Sequence, residues 1–312
     1  MAKIGFDEVP VVNGAEAFLE QLKANGSVRF LFANTGTDHG PLIEAFAKSE
    51  VEGARGPRVV LVPHEQAAVS MAHGYYNVTH DPQVVLVHTL PGTANALGGV
   101  INASSSNVPV ILVAGRTPIT EGELLGGKNR NIHWRQESRD QGALVREFVK
   151  WDYEHRSNKN IGTVVSRAFN IAMSEPRGPV YLTLPREWLC EPLDTTQVPQ
   201  APFKPATKIQ AETAALEKAA EILLSAKEPL VVTKYLGRNP EAVGHLVRLA
   251  ESLAIPVVQH PWYMNFPSDH PLYLGQQALK YAQRSDVIFL IDVDVPWPDA
   301  SRGILRPNAR II

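Results

Sequence analysis

Short apolar runs alternate with amphipathic segments along residues 1–190 of the chain. The apolar runs predict strands over residues 28–33, 58–62, 84–88, 110–114 and 179–184. The segments between them predict helices, the first capped by Asn13 and ending at Asn25-Gly26, and others from Pro41, over 65–78 and from Thr93. Strands that alternate with helices favour a doubly wound α/β fold, because parallel neighbours need a crossover connection.

The pattern breaks off over residues 191–209, where Pro192, Pro199, Pro202 and Pro205 interrupt a polar stretch. We interpret this segment as a linker between a domain at 1–190 and a domain at 210–312. The alternation then resumes, with helices predicted over 211–226 and 240–253 and strands over 230–233, 256–259 and 287–292. The second domain is therefore predicted to be another doubly wound parallel sheet, of Rossmann-like type.

Residues 310–312, Arg-Ile-Ile, look like the beginning of a further strand. No cap, turn or polar tail follows them, and a parallel strand without a partner is an incomplete element. We therefore expect the second domain to be truncated, so that the native polypeptide continues or another chain completes the sheet.

Composition and charge narrow the class of protein. Hydrophobic residues make up 44% of the chain and charged residues 20%, as in ordinary globular proteins. A formal net charge of −2 offers no basic field for nucleic acid or anionic lipid. No apolar run approaches about 18 residues, no apolar signal core is present at the start, and Cys190 is the only cysteine. These features predict a cytoplasmic protein with neither a membrane nor a nucleic-acid partner.

The segment over residues 63–75, Pro-His-Glu-Gln-Ala-Ala-Val-Ser-Met-Ala-His-Gly-Tyr, lies where a predicted strand ends and a helix begins. Ligands of open α/β folds bind at this carboxyl edge of the sheet. It is not a zinc-protease helix, because Ala68 stands where the second histidine of His-Glu-x-x-His would be needed. Taken alone, Glu65 also has a simple structural explanation, since the helix dipole favours a carboxylate in the first turn by about 0.3–1 kcal/mol.

The same segment resembles the pyrimidine-binding domain of the acetolactate synthase group of thiamine-diphosphate enzymes, in which His-Glu is followed by small residues and Ala-x-Gly-Tyr. His64, Glu65, Ala72, Gly74 and Tyr75 match that motif. Further matches follow in the same order over residues 32–37, 88–95, 107–110, 136–137 and 177–185, and the central domain of the family is matched over 229–232, 255–257, 270–275 and 285–288. The resemblance therefore covers essentially the whole chain.

This resemblance implies that Glu65 is the catalytic glutamate, which hydrogen-bonds the ring nitrogen N1′ of the cofactor's aminopyrimidine and favours its imino tautomer. We expect such a group to work best when it is shielded from water. Gly36, and the turn that contains Pro91, Gly92 and Asn95, are implied to contact the cofactor. A simple turn glycine at position 36, and a turn with a helix N-cap at 91–95, stay open as alternatives.

Two further residues concern the substrate. The resemblance places Gln136 near the substrate, and Arg135 stands where the family often has an aromatic residue. An arginine there could pair with a substrate carboxylate, and a solvated polar loop is the alternative. No metal ligands are predicted within the chain. Asp292 and Asp294 end a predicted strand and could meet a ligand in the second domain, although solvated carboxylates are the simpler interpretation.

The cofactors implied by the resemblance depend partly on a segment not found here. In the family, a third domain carries a Gly-Asp-Gly…Asn signature that binds Mg²⁺ and the diphosphate, and no Gly-Asp-Gly occurs in this chain. Thiamine diphosphate and Mg²⁺ would thus need a domain outside it, and the central domain helps to hold FAD in some members. Because the cofactor of this family lies between subunits, a homodimer or homotetramer is implied.

The implied function is decarboxylation of a 2-oxo acid, with or without joining of the product to a second carbonyl compound. Thr35, Leu90 and Arg135 depart from the family pattern near the expected substrate pocket, which weakens a specific assignment to acetolactate synthesis. A 2-oxo acid decarboxylase or lyase of the same family, and a non-catalytic fragment or partner subunit, are the alternatives. A nucleotide-binding dehydrogenase is disfavoured, because no Gly-x-Gly-x-x-Gly follows a predicted strand.

Overall fold

The computed structural model describes residues 5–200, 209–297 and 305–312. The chain divides between Lys208 and Ile209 into two compact units, and each unit has its own sheet and its own core. Within the described ranges, no helix has an apolar stretch long enough to cross a bilayer.

The first unit contains the predicted alternation of strands and helices. Its strands are β1 (Phe6–Pro10), β2 (Phe30–Asn34), β3 (Arg58–Leu61), β4 (Val84–Val87), β5 (Ile111–Arg116), β6 (Asp152–Glu154), β7 (Val180–Pro185) and β8 (Thr195–Pro199). Its helices are α1 (Gly14–Asn25), α2 (Gly40–Val51), α3 (Glu65–Thr79), α4 (Thr89–Ser105), α5 (Asn131–Arg135), α6 (Ile161–Met173) and α7 (Arg186–Cys190). The doubly wound α/β prediction is confirmed, and all five predicted strands are present, as β2, β3, β4, β5 and β7.

Six of these strands form one parallel sheet in the order β3-β2-β4-β5-β7-β6. The chain leaving β2 continues to β3 on one side, whereas the chain leaving β4 continues to β5 on the other side. The carboxyl ends of β2 and β4 therefore border the topological switch point, where open α/β sheets bind their ligands.

Helices cover both faces of this sheet. One core cluster joins the sheet to α1 and α6, and a second joins it to α3 and α4. β4 contributes to both clusters, and each of its residues, Val84, Val85, Leu86 and Val87, is at most 1% exposed. A strand buried on both faces has no polar side, which explains why the sequence shows a continuous apolar run there.

The strand β8 lies inside the segment predicted to be a linker. β1 and β8 pair antiparallel, with Phe6 opposite Pro199. The linker prediction is therefore wrong for Thr195–Pro199, because Thr196 and Val198 are buried while their neighbours Thr195 and Gln197 are exposed. That alternation is a strand pattern, which the flanking prolines obscured. Residues 201–208 of the predicted linker lie outside the described part of the chain.

The start of α4 also differs from the prediction. The sequence favours a turn at Pro91-Gly92 and a helix from Thr93, but the helix begins at Thr89 and contains both residues in its first turn. Gly92 N–H donates to the His88 carbonyl at 2.8 Å. Proline is tolerated at this point, because the first N–H groups of a helix have no intrahelical acceptor.

The second unit contains α8 (Thr213–Leu224), β9 (Pro229–Thr233), α9 (Pro240–Leu253), β10 (Val257–Gln259), α10 (Ala278–Ala282), β11 (Val287–Ile291) and β12 (Arg310–Ile311). Its strands form a parallel sheet in the order β10-β9-β11-β12. The expectation that the last strand lacks a partner is wrong, since Arg310 and Ile311 pair with Val287 and Ile288 of β11. The predicted Rossmann-like pattern is otherwise present, and α10 is a short helix that the sequence pattern did not indicate.

Candidate functional site

Glu65 is the first residue of α3, and three residues separate it from the end of β3. His64 caps the helix, and its side chain accepts a hydrogen bond from Gln66 N–H at 3.2 Å. The cap fixes the entry of the chain into the helix, and the Glu65 side chain turns into the protein, where it is only 7% exposed. The helix start thus presents a nearly buried carboxylate at the carboxyl edge of the sheet.

Asn95 holds one oxygen of this carboxylate. Its side-chain Nδ2 donates to Glu65 Oε2 at 3.1 Å from α4. The other oxygen, Oε1, has no hydrogen-bond partner among the described residues, and a Cβ added at Gly92 would lie 3.4 Å from it. A buried carboxylate with one oriented oxygen and one free oxygen is suited to share a proton with a bound ring nitrogen.

A buried hydrogen-bond network fixes α4, and with it Asn95. Thr93 Oγ1 and Tyr181 Oη lie 2.8 Å apart, and Gln141 Nε2 donates to Tyr181 Oη at 2.9 Å. Burial raises the pKa of the Tyr181 hydroxyl to about 12, so it stays protonated and can donate. The network ties the first turn of α4 to β7, beneath the candidate site.

Gly36 lies in the loop after β2 and directly precedes a 3₁₀ turn over Thr37–His39. Its φ of −149° is open to any residue, so the glycine is needed for space. A Cβ at this position would lie 2.4 Å from the ring of His88. The absence of a side chain thus lets the loop pack against the imidazole that follows β4.

The residue after His88 is strained. Thr89 has a φ of +41°, which is a costly conformation for a β-branched residue. Its buried hydroxyl has no hydrogen-bond partner among the described residues. Such strain persists only where the surrounding structure enforces it, and here it lies at the switch point next to the imidazole of His88.

Two histidines and an arginine surround Asp38, which is 1% exposed in the loop after β2. Asp38 Oδ2 lies 3.3 Å from His88 Nε2, and Asp38 Oδ1 lies 3.5 Å from His133 Nε2 and 3.6 Å from Arg186 Nη1. The three partners follow β4, β5 and β7, so the parallel sheet brings them together at one edge. We call these four side chains the Asp38 cluster.

Burial and the neighbouring basic groups have opposite effects on the pKa of Asp38. Burial alone would raise the pKa of the Asp38 carboxyl, but His88, His133 and Arg186 together hold it below its ordinary value. The adjacent His39 is fully buried, and neither of its ring nitrogens has a hydrogen-bond partner in the part of the chain that the structure describes. Burial, reinforced by repulsion from His88, lowers the pKa of His39 to about 3, so its ring is neutral at physiological pH. Asp38 is therefore a buried carboxylate next to three basic side chains.

Sequence reasoning missed most of this cluster. The placement of Asp38 and His88 after adjacent predicted strands indicates that they share an edge, so that pair could have been found. His133 and Arg186 lie 95 and 148 residues beyond Asp38, by subtraction of their numbers, and no spacing rule connects them to it. Only the packing of the loop after β5 against α7 brings them close.

The predicted substrate residues belong to the segment that follows β5. Arg135 ends α5 and is exposed, and Gln136 follows it half-buried. The main chain of Gln136 is held by hydrogen bonds from Gln136 N–H to the Ile132 carbonyl and from Thr117 Oγ1 to the Gln136 carbonyl. Within the described residues, no hydrogen bond or ion pair joins either side chain to Glu65 or Asn95. A role for Arg135 or Gln136 toward a substrate therefore stays a prediction.

No metal centre is apparent in the described ranges, where no three histidine, cysteine, aspartate or glutamate side chains are placed to hold an ion.

Replacing Gly36 with alanine should lower the free energy of unfolding by about 1–3 kcal/mol, because the new Cβ would overlap the His88 ring. Gly40→Ala is the matched control, since a Cβ at position 40 meets no atom within 4 Å. Urea unfolding of the two variants measures the difference. Equal stability of both variants would show that the loop does not pack on His88.

His39 should make the protein acid-sensitive. Its folded pKa lies below its unfolded pKa of 6.5, so the stabilising effect is fully present above pH 6.5 and is lost as the pH falls toward 3. Between about pH 7.5 and about pH 5, the wild type should lose about 2 kcal/mol more stability than His39→Leu. Urea unfolding at both pH values checks this. The exposed His245, changed to leucine, is the control and should follow the wild type.

The sequence matches two profiles of one enzyme family. Residues 12–144 match "Thiamine pyrophosphate enzyme, N-terminal TPP binding domain", and residues 216–312 match "Thiamine pyrophosphate enzyme, central domain". Thiamine pyrophosphate is another name for thiamine diphosphate. The first match contains Gly36, Glu65 and Asn95. The two matches lie on either side of the division between the structural units.

Curated relatives support the same family. The chain is 30% identical over 287 residues to the sulfoacetaldehyde acetyltransferase of Alcaligenes xylosoxydans xylosoxydans, covering 89% of this chain and 44% of the relative. It is 28% identical to the acetolactate synthase of Bacillus subtilis, covering 79% of this chain and 40% of that relative. It is also 28% identical to the benzoylformate decarboxylase of Pseudomonas aeruginosa, covering 83% of this chain and 46% of that relative. The chain thus spans less than half the length of these relatives.

Solved structures show the same fold at lower identity. A putative thiamin diphosphate-dependent enzyme from Mycobacterium smegmatis superposes with a TM-score of 0.78 at 24% identity, covering 96% of this chain and 56% of the other. The thiamine diphosphate-dependent 4-hydroxybenzoylformate decarboxylase of Rhodococcus jostii RHA1 superposes with a TM-score of 0.76, with the same identity and coverage. Together with the two profile matches, these likenesses show that the chain belongs to the thiamine pyrophosphate enzyme family, with relatives of the acetolactate synthase type.

Proposed function

We propose that this chain supplies the activating glutamate for thiamine-diphosphate-dependent decarboxylation of a 2-oxo acid, with or without transfer of the product to a second carbonyl compound. The observation that carries the proposal is the Glu65 carboxylate, which is nearly buried, held at Oε2 by Asn95 and free of hydrogen bonds at Oε1 within the described chain. The catalytic role of Glu65, and the cofactor contacts of Gly36, Pro91, Gly92 and Asn95, are parts of this proposal.

Thiamine diphosphate, when bound, supplies a carbon nucleophile at C2 and an electron sink for decarboxylation. The residues present fit its aminopyrimidine end. Glu65 would hold a proton against the ring nitrogen N1′, while Asn95 keeps the carboxyl group oriented toward the ring. Gly92 leaves space beside Oε1, where a side chain would otherwise crowd the ring.

The Asp38 cluster fits the proton transfers that such reactions need. His88 is 21% exposed at the switch point, and Asp38 lies 3.3 Å from its Nε2. A carboxylate at this distance can fix the orientation of the imidazole. We propose that His88 exchanges a proton with the substrate and that Asp38, which is buried, is a positioning residue.

Magnesium and the diphosphate would be bound elsewhere. Within the described residues, no three histidine, cysteine, aspartate or glutamate side chains are placed to hold a metal ion. On the family resemblance, we propose that a diphosphate-binding domain outside this chain holds Mg²⁺. We also propose that the complete enzyme works in the cytoplasm, since a single cysteine fits a reducing compartment.

A second copy of the chain is the proposed partner. The outer faces of α3 and α4 carry small and apolar exposed residues beside Glu65, namely Ala67, Met71, Gly74, Val78, Pro91, Ala94 and Gly98. Met71 and Val78 are 42% and 82% exposed. Such a face is favourable for close helix packing between subunits and would enclose the pyrimidine end of the cofactor.

In the complete enzyme, Glu65→Gln should slow exchange of the cofactor's C2 proton by about 100-fold or more, because an amide cannot share its proton with N1′. Exchange into deuterated water, followed by NMR after acid quench, measures the rate directly. Glu44→Gln is the matched control, since Glu44 is an exposed glutamate on α2. Wild-type exchange in Glu65→Gln would refute the role of Glu65.

Met71→Glu should weaken self-association by about tenfold or more, because a charge would be buried without a partner at the interface. Sedimentation velocity across a dilution series measures the dissociation constant. Val51→Glu is the control, since Val51 is 88% exposed on α2 and away from the proposed face. The proposed interface is wrong if Met71→Glu associates as tightly as the wild type.

A further inference from the structure

The second unit has its own topological switch point. The chain leaving β9 continues to β10 on one side, and the chain leaving β11 continues to β12 on the other, so the crevice lies between the carboxyl ends of β9 and β11. This is where a nucleotide binds in a sheet of this type. The central domain of some family members helps to hold FAD, and the residues of this crevice show whether the same ligand fits here.

Two ion pairs bridge the crevice. Lys234 Nζ, just after β9, lies 2.7 Å from Asp294 Oδ1 and 2.9 Å from Asp294 Oδ2, just after β11. Arg238 Nη2 lies 3.0 Å from Asp292 Oδ2, and Tyr235 N–H donates to the Asp292 carbonyl at 3.0 Å. Main chain and side chains therefore join the two segments that would have to separate around a dinucleotide.

The side chain of Tyr235 fills the space between these segments. It is only 5% exposed, and its hydroxyl donates to Asp294 Oδ2 at 3.1 Å. In a dinucleotide site, the turn after the first strand is glycine-rich, because the pyrophosphate must approach the backbone closely. A buried tyrosine tied to the opposite loop occupies that position in this chain.

The one glycine of this turn serves another contact. A Cβ at Gly237 would lie 2.3 Å from the Met264 carbonyl oxygen, and Gly237 N–H donates to Asn265 Oδ1 at 2.9 Å. Gln259 Oε1 accepts from Asn265 N–H at 2.8 Å and fixes the same segment from β10. The space and the N–H that a phosphate would use are thus taken by the protein.

We infer that the crevice of the second unit is closed by its own residues. The contacts between the segments after β9 and β11 occupy the place where FAD would otherwise bind. The residues described around the crevice do not fit a flavin dinucleotide: the turn lacks room, and two carboxylates stand at the strand end where the diphosphate would lie. The inference is independent of Glu65 and of the proposed decarboxylation.

A binding measurement tests it first. Equilibrium dialysis of the purified protein against FAD, and separately against ADP, should show no saturable binding up to about 100 μM ligand. Stoichiometric retention of FAD, or saturation by ADP in the micromolar range, would overturn the inference. Neither outcome depends on thiamine diphosphate, so the result is separable from the test of Glu65.

A double-mutant cycle tests the cause. Lys234→Met and Asp294→Asn should be non-additive in urea unfolding, with a coupling of at least about threefold in the ratio of folded to unfolded protein. The exposed pair Lys218 and Glu221, changed to methionine and glutamine, is the control and should be additive within about twofold. Additivity at Lys234 and Asp294 would mean that their ion pair does not form in solution, and the proposed closure would be wrong.

Discussion

The parallel pairing of β2 with β3 and β4 is the constraint on which the rest of the first unit depends. Parallel strands end at a common edge, so the loop with Gly36, the helix start with Glu65 and the turn with His88 are placed side by side, although they are far apart in sequence. The pairing is stable only because helices cover both faces of the sheet and bury β4 completely. The chemistry of the edge therefore rests on apolar contacts beneath it.

The two acidic residues at this edge of the sheet have different partners. Asp38 is surrounded by basic groups that keep it ionised, at the cost of removing four polar side chains from water. Glu65 has one amide partner, Asn95, and no cation among its described contacts. One carboxylate is thus a fixed charge, and the other is available for proton sharing.

Much of this arrangement could be predicted from the sequence, for identifiable reasons. Central strands appear as apolar runs, the cap of α1 at Asn13 is a local hydrogen bond, and Glu65 lies in a motif whose neighbours match in order. What could not be predicted depends on tertiary contacts. β8 forms because β1 is available to pair with it, α4 extends back over Pro91 because the end of β4 positions it, and His133 reaches Asp38 only when the loop after β5 folds over the sheet.

The contact between Gly36 and His88 has an evolutionary consequence. The two positions lie on different loops, yet the ring of one occupies the space that a side chain at the other would need. A homologous chain that gains a side chain at position 36 has to carry a smaller residue at 88, or shift the backbone of one loop. These two positions should therefore covary among relatives, and a change in the first loop should be accompanied by a change in the residue that directly follows β4.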